Sequence, residues 1–254
     1  MFTKAVILSA GQGKRLLPLT EERPKCLLPF HGRTLLEWQV AALAENNIRD
    51  VTVVTGFHAE AVEAELRARP DLGAQVRCLF NPFFEVADNA GSCYLARDIM
   101  HGAFVLLNGD TLFEPALLAR AMAQASRPIT VTIDRKERYD SDDMKVVDEG
   151  GRLLRIGKDL EHCTGESIGM LFFRDGGGEA FAQGLEHVLR QPGGLRRWYL
   201  SVIDQLASGV EVGVASIQGL GWCEVDFPRD MAAARDLTAR MWSAPGKAQG
   251  CGGG

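Results

Sequence analysis

Apolar residues along the chain fall into short continuous runs separated by stretches with helical spacing. Ala5 to Ser9 (AVILS), Val51 to Thr55 (VTVVT), Val76 to Phe80, Ala103 to Leu107 (AFVLL) and Ile129 to Asp134 (ITVTID) are the runs of the first half. Short runs without a polar face predict strands covered on both sides. Between them, Thr34 to Glu37 reads as a capping box, after which Leu36, Val40, Leu43 and Ala44 form a helical stripe. Glu60 to Arg69 predicts a helix stopped before Pro70, a third helix is expected from about Ser92 to Met100, and Pro115 opens a fourth. This βαβ rhythm predicts an α/β fold: a Rossmann-like, mostly parallel sheet with helices on both faces. Ligands of such sheets sit beyond the carboxyl ends of the strands, so the loops after Ser9, Phe80 and Leu107 are the candidate sites.

The second half reads differently. Met144 to Val147 and Leu153 to Ile156, joined by Gly150-Gly151, predict a hairpin, and Ser167 to Phe173 a further strand. Helices are expected at about 178–190 and 197–207, strands at Val212 to Ile217 and Trp222 to Asp226, and a last helix from Pro228 to about Met241. No linker divides the chain. It reads as one domain over 1–243, with halves of about 1–135 and 136–243, the second carrying a small β-hairpin/α subregion. The Gly-rich stretch Ala244 to Gly254 is expected to be a flexible tail.

Composition narrows the function. Of 254 residues, 28 are Lys or Arg and 33 Asp or Glu, a net charge of -5 with no basic block, which argues against a nucleic-acid partner. No apolar run approaches the ~20 residues of a membrane helix, so no membrane insertion is expected. The six cysteines form no C-x-x-C, the five histidines do not cluster, and the N-terminus lacks a signal-peptide core. A cytoplasmic protein with reduced thiols is the expectation.

Three segments carry candidate chemistry. Gly11-Gln-Gly13-Lys14-Arg15 follows the first strand, where glycine N–H groups can cradle an anion and cationic side chains add charge. It is neither a P-loop, since Arg15 stands where Ser or Thr is needed, nor a dinucleotide fingerprint, since Leu16 replaces the third small residue. Asn108-Gly109-Asp110 closes a strand at the ligand edge, where Asp110 suits a hard cation or simply closes an Asx turn. Glu224 and Asp226 are two apart, so on a strand they share a face while Val225 points the other way.

The run Gly11-x-Gly13-x-Arg15-x-x-Pro18-Leu19-Thr20-x-x-x-Pro24-Lys25-x-Leu27 resembles the signature of nucleotidyltransferases that make NDP-sugars and CDP-alcohols. Trp222-x-Glu224-Val-Asp226-x-Pro228-x-Asp230 resembles a second stretch of that superfamily. The resemblance implies that Ser9, Ala10, Gly11, Gly13 and Lys14 line the nucleotide. It implies that Arg15 and Lys25 act on its phosphates, and that Asp110 and Asp226 hold Mg²⁺ with Glu224 in support.

Within the superfamily, Asn89-Ala-Gly-Ser92-Cys-Tyr-Leu-Ala resembles the phosphocholine and inositol-phosphate cytidylyltransferase branch, as do Met144-Lys145-Val146 with Ile156-Gly157-Lys158, and Gly165-Glu166. Asn89 and Ser92 would then contact base or ribose, or serve as helix-start residues. Lys145 and Lys158 would face an acceptor phosphate, Glu166 an acceptor ammonium or hydroxyl, and Trp222 an aromatic wall. The implied activity is Mg²⁺-dependent transfer of a nucleotidyl group from CTP to a small phosphate ester, giving a CDP-conjugate and pyrophosphate. A sugar 1-phosphate enzyme using UTP, dTTP or GTP is the alternative, and a non-catalytic nucleotide-binding module the third reading. The oligomeric state stays open.

Overall fold

The computed structural model describes residues 1–243; the expected flexible tail, 244–254, lies outside the described residues. The elements in chain order are β1 (Lys4–Ser9), β2 (Pro29–Phe30), β3 (Arg33–Thr34), α1 (Leu35–Glu45), β4 (Asp50–Thr55), α2 (Ala59–Arg67) and β5 (Gln75–Phe80). There follow α3 (Asn89–Leu95), β6 (Phe104–Asn108), β7 (Thr111–Phe113), α4 (Pro115–Gln124), β8 (Ile129–Asp134), β9 (Lys145–Glu149) and β10 (Arg152–Gly157). The last are β11 (Gly165–Phe173), α5 (Gly177–Leu189), α6 (Tyr199–Leu206), β12 (Val212–Ser216), β13 (Trp222–Glu224) and α7 (Asp230–Ser243).

One nine-stranded sheet runs in the order β5-β4-β1-β6-β11-β8-β12-β10-β9. β5, β4, β1 and β6 are parallel, as the βαβ rhythm predicts. The second half adds antiparallel neighbours, β11 between β6 and β8, and β10 and β9 at the edge, so the sheet as a whole is mixed. The strands run outward from β1 to β4 and β5 on one side and then resume at β6 on the other. The crevice outside the carboxyl ends of β1 and β6 is therefore the ligand position of this topology.

The unbroken apolar runs are explained by the two layers that cover the sheet. Ala5 and Ile7 pack with Leu36, Val40 and Leu43 of α1 and Leu117, Leu118 and Ala121 of α4. Val6 and Leu8 face the other layer, with Ala90 and Cys93 of α3, Phe181 of α5 and Val202 of α6. The capping box at α1 is present in both directions: Glu37 N–H donates to Thr34 Oγ1 at 3.2 Å, and Thr34 N–H to Glu37 Oε2 at 2.6 Å.

A third apolar cluster decides where the site forms. Leu16 from the glycine loop, Leu28 and Phe30, Trp38 of α1, Leu112 of β7, Val225 and Met231, Leu237 and Met241 of α7 share one core. It joins the first 40 residues to the last 30, and it buries the residue next to Arg15 and the residue between Glu224 and Asp226.

The helix expected from Ser92 starts earlier, at Asn89, and gives way after Leu95 to a tighter turn over Arg97–Ile99. Extended Asp88 forms its N-cap, and the Ser92 hydroxyl is turned inward instead, accepting from Asn81 Nδ2 at 3.0 Å. The pairs β2–β3 and β7–β13 have strands of two or three residues, too short for alternation to reveal β2, β3 or β7 in advance.

Gly109 lies against β1: its N–H donates to the Leu8 carbonyl at 2.9 Å, and a Cβ there would lie 2.4 Å from Ser9 Oγ and 2.5 Å from the Leu8 carbonyl oxygen. Gly109→Ala is expected to cost about 1–3 kcal/mol through this overpacking, read as a lower denaturant midpoint. An unchanged midpoint would contradict the packing.

Candidate active site

The glycine loop folds back on itself before it turns to the site. Gly13 is left-handed (φ +78°), its carbonyl accepts from Thr20 Oγ1 at 2.9 Å, and Leu16 N–H closes the same turn at 2.9 Å. A Cβ at Gly13 would stand 2.9 Å from Cβ of Lys25, so glycine here clears the path of that lysine's stem. Gly11 has open space where a Cβ would be.

The two acidic segments are brought together by backbone pairing. In the β7–β13 ladder Glu224 lies opposite Thr111, and one step further Val225 N–H donates to the Asp110 carbonyl at 3.0 Å. Asp230 fixes the next turn by accepting from Asp226 N–H (2.9 Å) and Phe227 N–H (2.7 Å). Val225 is fully buried on the side away from its acidic neighbours, as the spacing predicts.

The result is one ionic cluster. Lys25 Nζ lies 2.8 Å from Asp110 Oδ2 and 2.7 Å from Asp226 Oδ1, and Arg15 Nη2 lies 2.6 Å from Asp226 Oδ2. The Arg15 guanidinium also rests 4.7 Å over the Phe227 ring. Burial works against the charged lysine, but the two carboxylates outweigh it and raise the Lys25 pKa. Burial likewise opposes ionised Asp226, and Lys25 with Arg15 holds its pKa below the usual value. Glu224 is in no ion pair among the described residues: burial, then Asp110 and Asp226, pushes it up to about 8, with Lys25 opposing only in part.

Two hollows meet at this cluster. A small one of about 180 Å³ is lined by Ser9, Gly11, Gly13, Lys25, Asn89, Asn108 and Asp110. A large one of about 770 Å³ is lined by Arg15, Asp110, Glu224, Asp226 and Trp222 together with Lys136, Asp140, Asp142, Asp143, Lys158, Glu166 and Trp198. Trp222 is fixed by its Nε1–H donating to Asp134 Oδ2 at 2.8 Å, and Lys158 Nζ sits 4.8 Å over the Trp198 ring.

Not every residue singled out in the sequence meets these hollows. Lys14 is exposed outside both, and Ala10 is buried, its carbonyl accepting from Phe57 N–H at 2.9 Å. Ser92 is spent on Asn81, which in turn receives Phe83 N–H on Oδ1 at 2.8 Å and orders the loop before α3. Lys145 does not line the cavity; its charge acts near Cys163. The lysine that meets Glu166 is Lys136, whose Nζ lies 2.8 Å from both Glu166 Oε2 and Asp143 Oδ2. Lys136 and the Asp140–Asp143 loop were not legible beforehand, because they come from irregular segments without periodic signal, and Asn108, although part of the Asn-Gly-Asp segment, was given no role of its own. Cys26, beside Lys25, is buried and pushed up to about 12, consistent with a packed thiol.

The donor set fits a hard cation. Asp110 Oδ1 is buried without a hydrogen-bond partner while Oδ2 takes Lys25, which leaves one carboxylate oxygen unspent in the hollow. Among the described residues no group of three His, Cys, Asp or Glu is arranged to hold a metal. Two carboxylates completed by phosphate oxygens and water are the usual requirement of Mg²⁺.

The Nucleotidyl transferase family model matches residues 4–155, more than half the sequence. The chain belongs to the nucleotidyl transferase family. It is 33% identical over 244 residues to the CMP-5'-(3-aminopropyl)phosphonate synthase of Streptomyces rubellomurinus, covering 91% of this chain and 38% of that protein. The chain spans about half or less of the length of the curated relatives it matches. In fold it is similar to the inositol-1-phosphate CTP transferase of T. maritima (TM-score 0.81, 22% identity, 96% and 97% of the two chains). It is also similar to the CTP:phosphocholine cytidylyltransferase of Streptococcus pneumoniae (TM-score 0.77, 21% identity, 94% and 100%). Among the described residues, no helix is long and apolar enough to cross a membrane.

Glu166 offers a pH test of the cavity. Burial, opposed by Lys136 and assisted by Asp143, pushes its pKa up to about 7. The folded carboxyl thus keeps a proton that the unfolded chain has lost. Its stabilising contribution is full below about pH 4.5 and disappears as pH rises through 7. Between pH 5 and 8, wild type should lose about 1–3 kcal/mol relative to Glu166→Gln, measured by urea unfolding. Parallel pH curves for the two proteins would sink the assignment.

Proposed function

We propose that the chain catalyses nucleotidyl transfer from CTP to a small phosphate or phosphonate ester, releasing pyrophosphate. The observation that carries this reading is the Lys25 ammonium between Asp110 and Asp226, at the mouth of a glycine-lined hollow. In the proposed reaction an acceptor phosphate oxygen attacks the α-phosphorus of the nucleotide, forming a P–O bond as the bond to the β-phosphate breaks and pyrophosphate leaves. The acceptor oxygen is already anionic, so no strong general base is needed. Catalysis is positioning and charge neutralisation.

Gly11 and Gly13 let the backbone come close to the triphosphate, and Arg15 and Lys25 offset charge on the reacting phosphates. Asp110 and Asp226 would hold Mg²⁺, which supplies further charge neutralisation and orients the phosphates. Glu224 stands behind them as a neutral or hydrogen-bonding neighbour. Asn89 contributes a side-chain amide to both hollows.

The acceptor reading follows from the rest of the lining of the large cavity. Asp140, Asp142, Asp143 and Glu166 outnumber Lys136 and Lys158 in it, and Trp198 and Trp222 offer aromatic faces. Such a lining favours an acceptor whose phosphate lies toward the cluster and whose other end carries an ammonium. An aminoalkyl phosphonate, as named for the Streptomyces relative, and phosphocholine are the leading candidates, ahead of inositol phosphate. We infer a cytoplasmic enzyme, with the first half of the chain holding the nucleotide and the second the acceptor.

A panel of CTP, UTP, dTTP and GTP against aminoalkyl phosphonates, phosphocholine, inositol 1-phosphate and hexose 1-phosphates, read by pyrophosphate release, tests the assignment. CTP with a cationic acceptor is expected. Turnover of UTP with a hexose 1-phosphate, and none of CTP, would move the protein to the sugar-nucleotide branch. Lys25→Ala and Asp110→Ala should each lower kcat by ~10²–10³; near-normal turnover at saturating Mg²⁺ would overturn their roles. Without substrate, Lys25→Gln leaves two facing carboxylates and should unfold about 2–3 kcal/mol more easily. Millimolar Mg²⁺ should recover part of that loss and raise the thermal midpoint of the variant more than that of wild type.

A further inference from the structure

Asn89, Asn108 and Asp110 are the residues that line both hollows, so they mark the junction where a group passing from one to the other must lie. Both asparagines are bonded to the same residue. Tyr199 N–H donates to Asn89 Oδ1 at 2.9 Å, across 110 positions of sequence, and the Tyr199 hydroxyl donates to Asn108 Oδ1 at 3.0 Å, across 91. An amide whose carbonyl oxygen is taken in this way presents its NH₂ to whatever remains.

We propose that Tyr199 is a positioning residue that sets the side-chain amides of Asn89 and Asn108 as a pair of N–H donors at the junction, for the phosphoryl oxygens of the group in transit. The inference rests on the transfer reading above and adds to it a source of neutral donors.

The orientation is over-determined. Tyr199 is fully buried, with its ring edge-on to Phe181 at 6.3 Å, and burial keeps its phenol well above the usual pKa, so the hydroxyl retains its proton. Gly169 sits on the opposite side of the Asn108 amide. It is left-handed (φ +70°), and a Cβ there would stand 2.4 Å from Asn108 Nδ2. The same residue lies where the β11–β8 register breaks, between Ser167 and Leu171. A break in the ladder and a glycine thus make room for this one amide group.

The chemistry explains why amides suit the place. An added cation at the junction would compete with the metal for Asp110, whereas neutral N–H donors can meet a phosphoryl oxygen without that competition. Preorganised N–H donors aimed at developing negative charge are the usual means of stabilising a transition state of this kind. Tyr199 opens α6, in the second half of the chain, while the amides it sets belong to the first, so the donors are in register only when the two segments are packed together.

The test uses Tyr199→Phe, which keeps the backbone donor to Asn89 and the ring packing and deletes only the hydroxyl. Its kcat should fall about tenfold, with KM for CTP and the thermal midpoint little changed. Asn108→Ala should fall by as much or more, and the double variant should be no worse than Asn108→Ala alone. Additive losses, or wild-type kcat in Tyr199→Phe, would overturn the proposal.

A second measurement does not depend on turnover. In ¹⁵N-labelled wild-type protein, added inorganic pyrophosphate should shift the side-chain NH₂ signals of Asn89 and Asn108 together, and Tyr199→Phe should weaken the Asn108 response. Shifts at the Gly11 and Gly13 backbone amides with the asparagine signals unmoved would reject the donor role even if the transfer reading holds. Coupled asparagine shifts without turnover of any nucleotide and acceptor would support the donors and reject the transfer reading.

Discussion

A single ammonium group between two carboxylates organises the site. Lys25 comes from the segment after the glycine loop, Asp110 from the turn between β6 and β7, and Asp226 from the residues after β13, 201 positions from the lysine. Without the cation, two carboxylates at this separation would repel each other in a half-buried setting, where Coulomb interactions are several times stronger than in water. With it, the pair is held facing one small hollow. The arrangement keeps both carboxylates directed at the same point.

The ionic cluster specifies position more than it supplies stability. Ion pairs in partly solvated sites recover little net free energy after desolvation. Each fully buried Leu, Val or Phe contributes ~1.5–3 kcal/mol, and the third apolar cluster holds several such residues drawn from both ends of the chain. Leu16 and Val225 are the relevant ones. Their burial drags Arg15 on one side and Glu224 with Asp226 on the other into contact range. The β7–β13 ladder then sets the register to the residue, since a one-residue slip would turn Asp226 away and bring Val225 into the hollow.

The large cavity divides its work by charge. Arg15 and Lys25 stand at the ionic cluster, and elsewhere in the lining acids predominate, with Lys136 held between Glu166 and Asp143. Glu166 and Glu224, whose pKa values are raised first by burial, both line this cavity. At the junction with the small hollow stand two groups that carry no charge, Asn89 and Asn108, tied to the helix that opens at Tyr199.

Strand and helix identity was largely legible in the sequence, because apolar runs and caps act locally: the capping box at Thr34 and the alternate-face logic of Glu224-Val225-Asp226 are both present as read. The family resemblance was legible too, since its motifs are contiguous. What the sequence could not decide was partnership. Nothing local announces that Lys136 forms the ion pair with Glu166, that Ser92 turns inward to Asn81, or that strands as short as β7 pair at all. Those outcomes depend on which side chains are brought within hydrogen-bonding distance by contacts tens to hundreds of positions apart. Local periodicity sets which residues are buried. Only the packing of the closed chain sets which buried and half-buried polar groups satisfy one another, because each must find its partner among the few groups that the core leaves within reach.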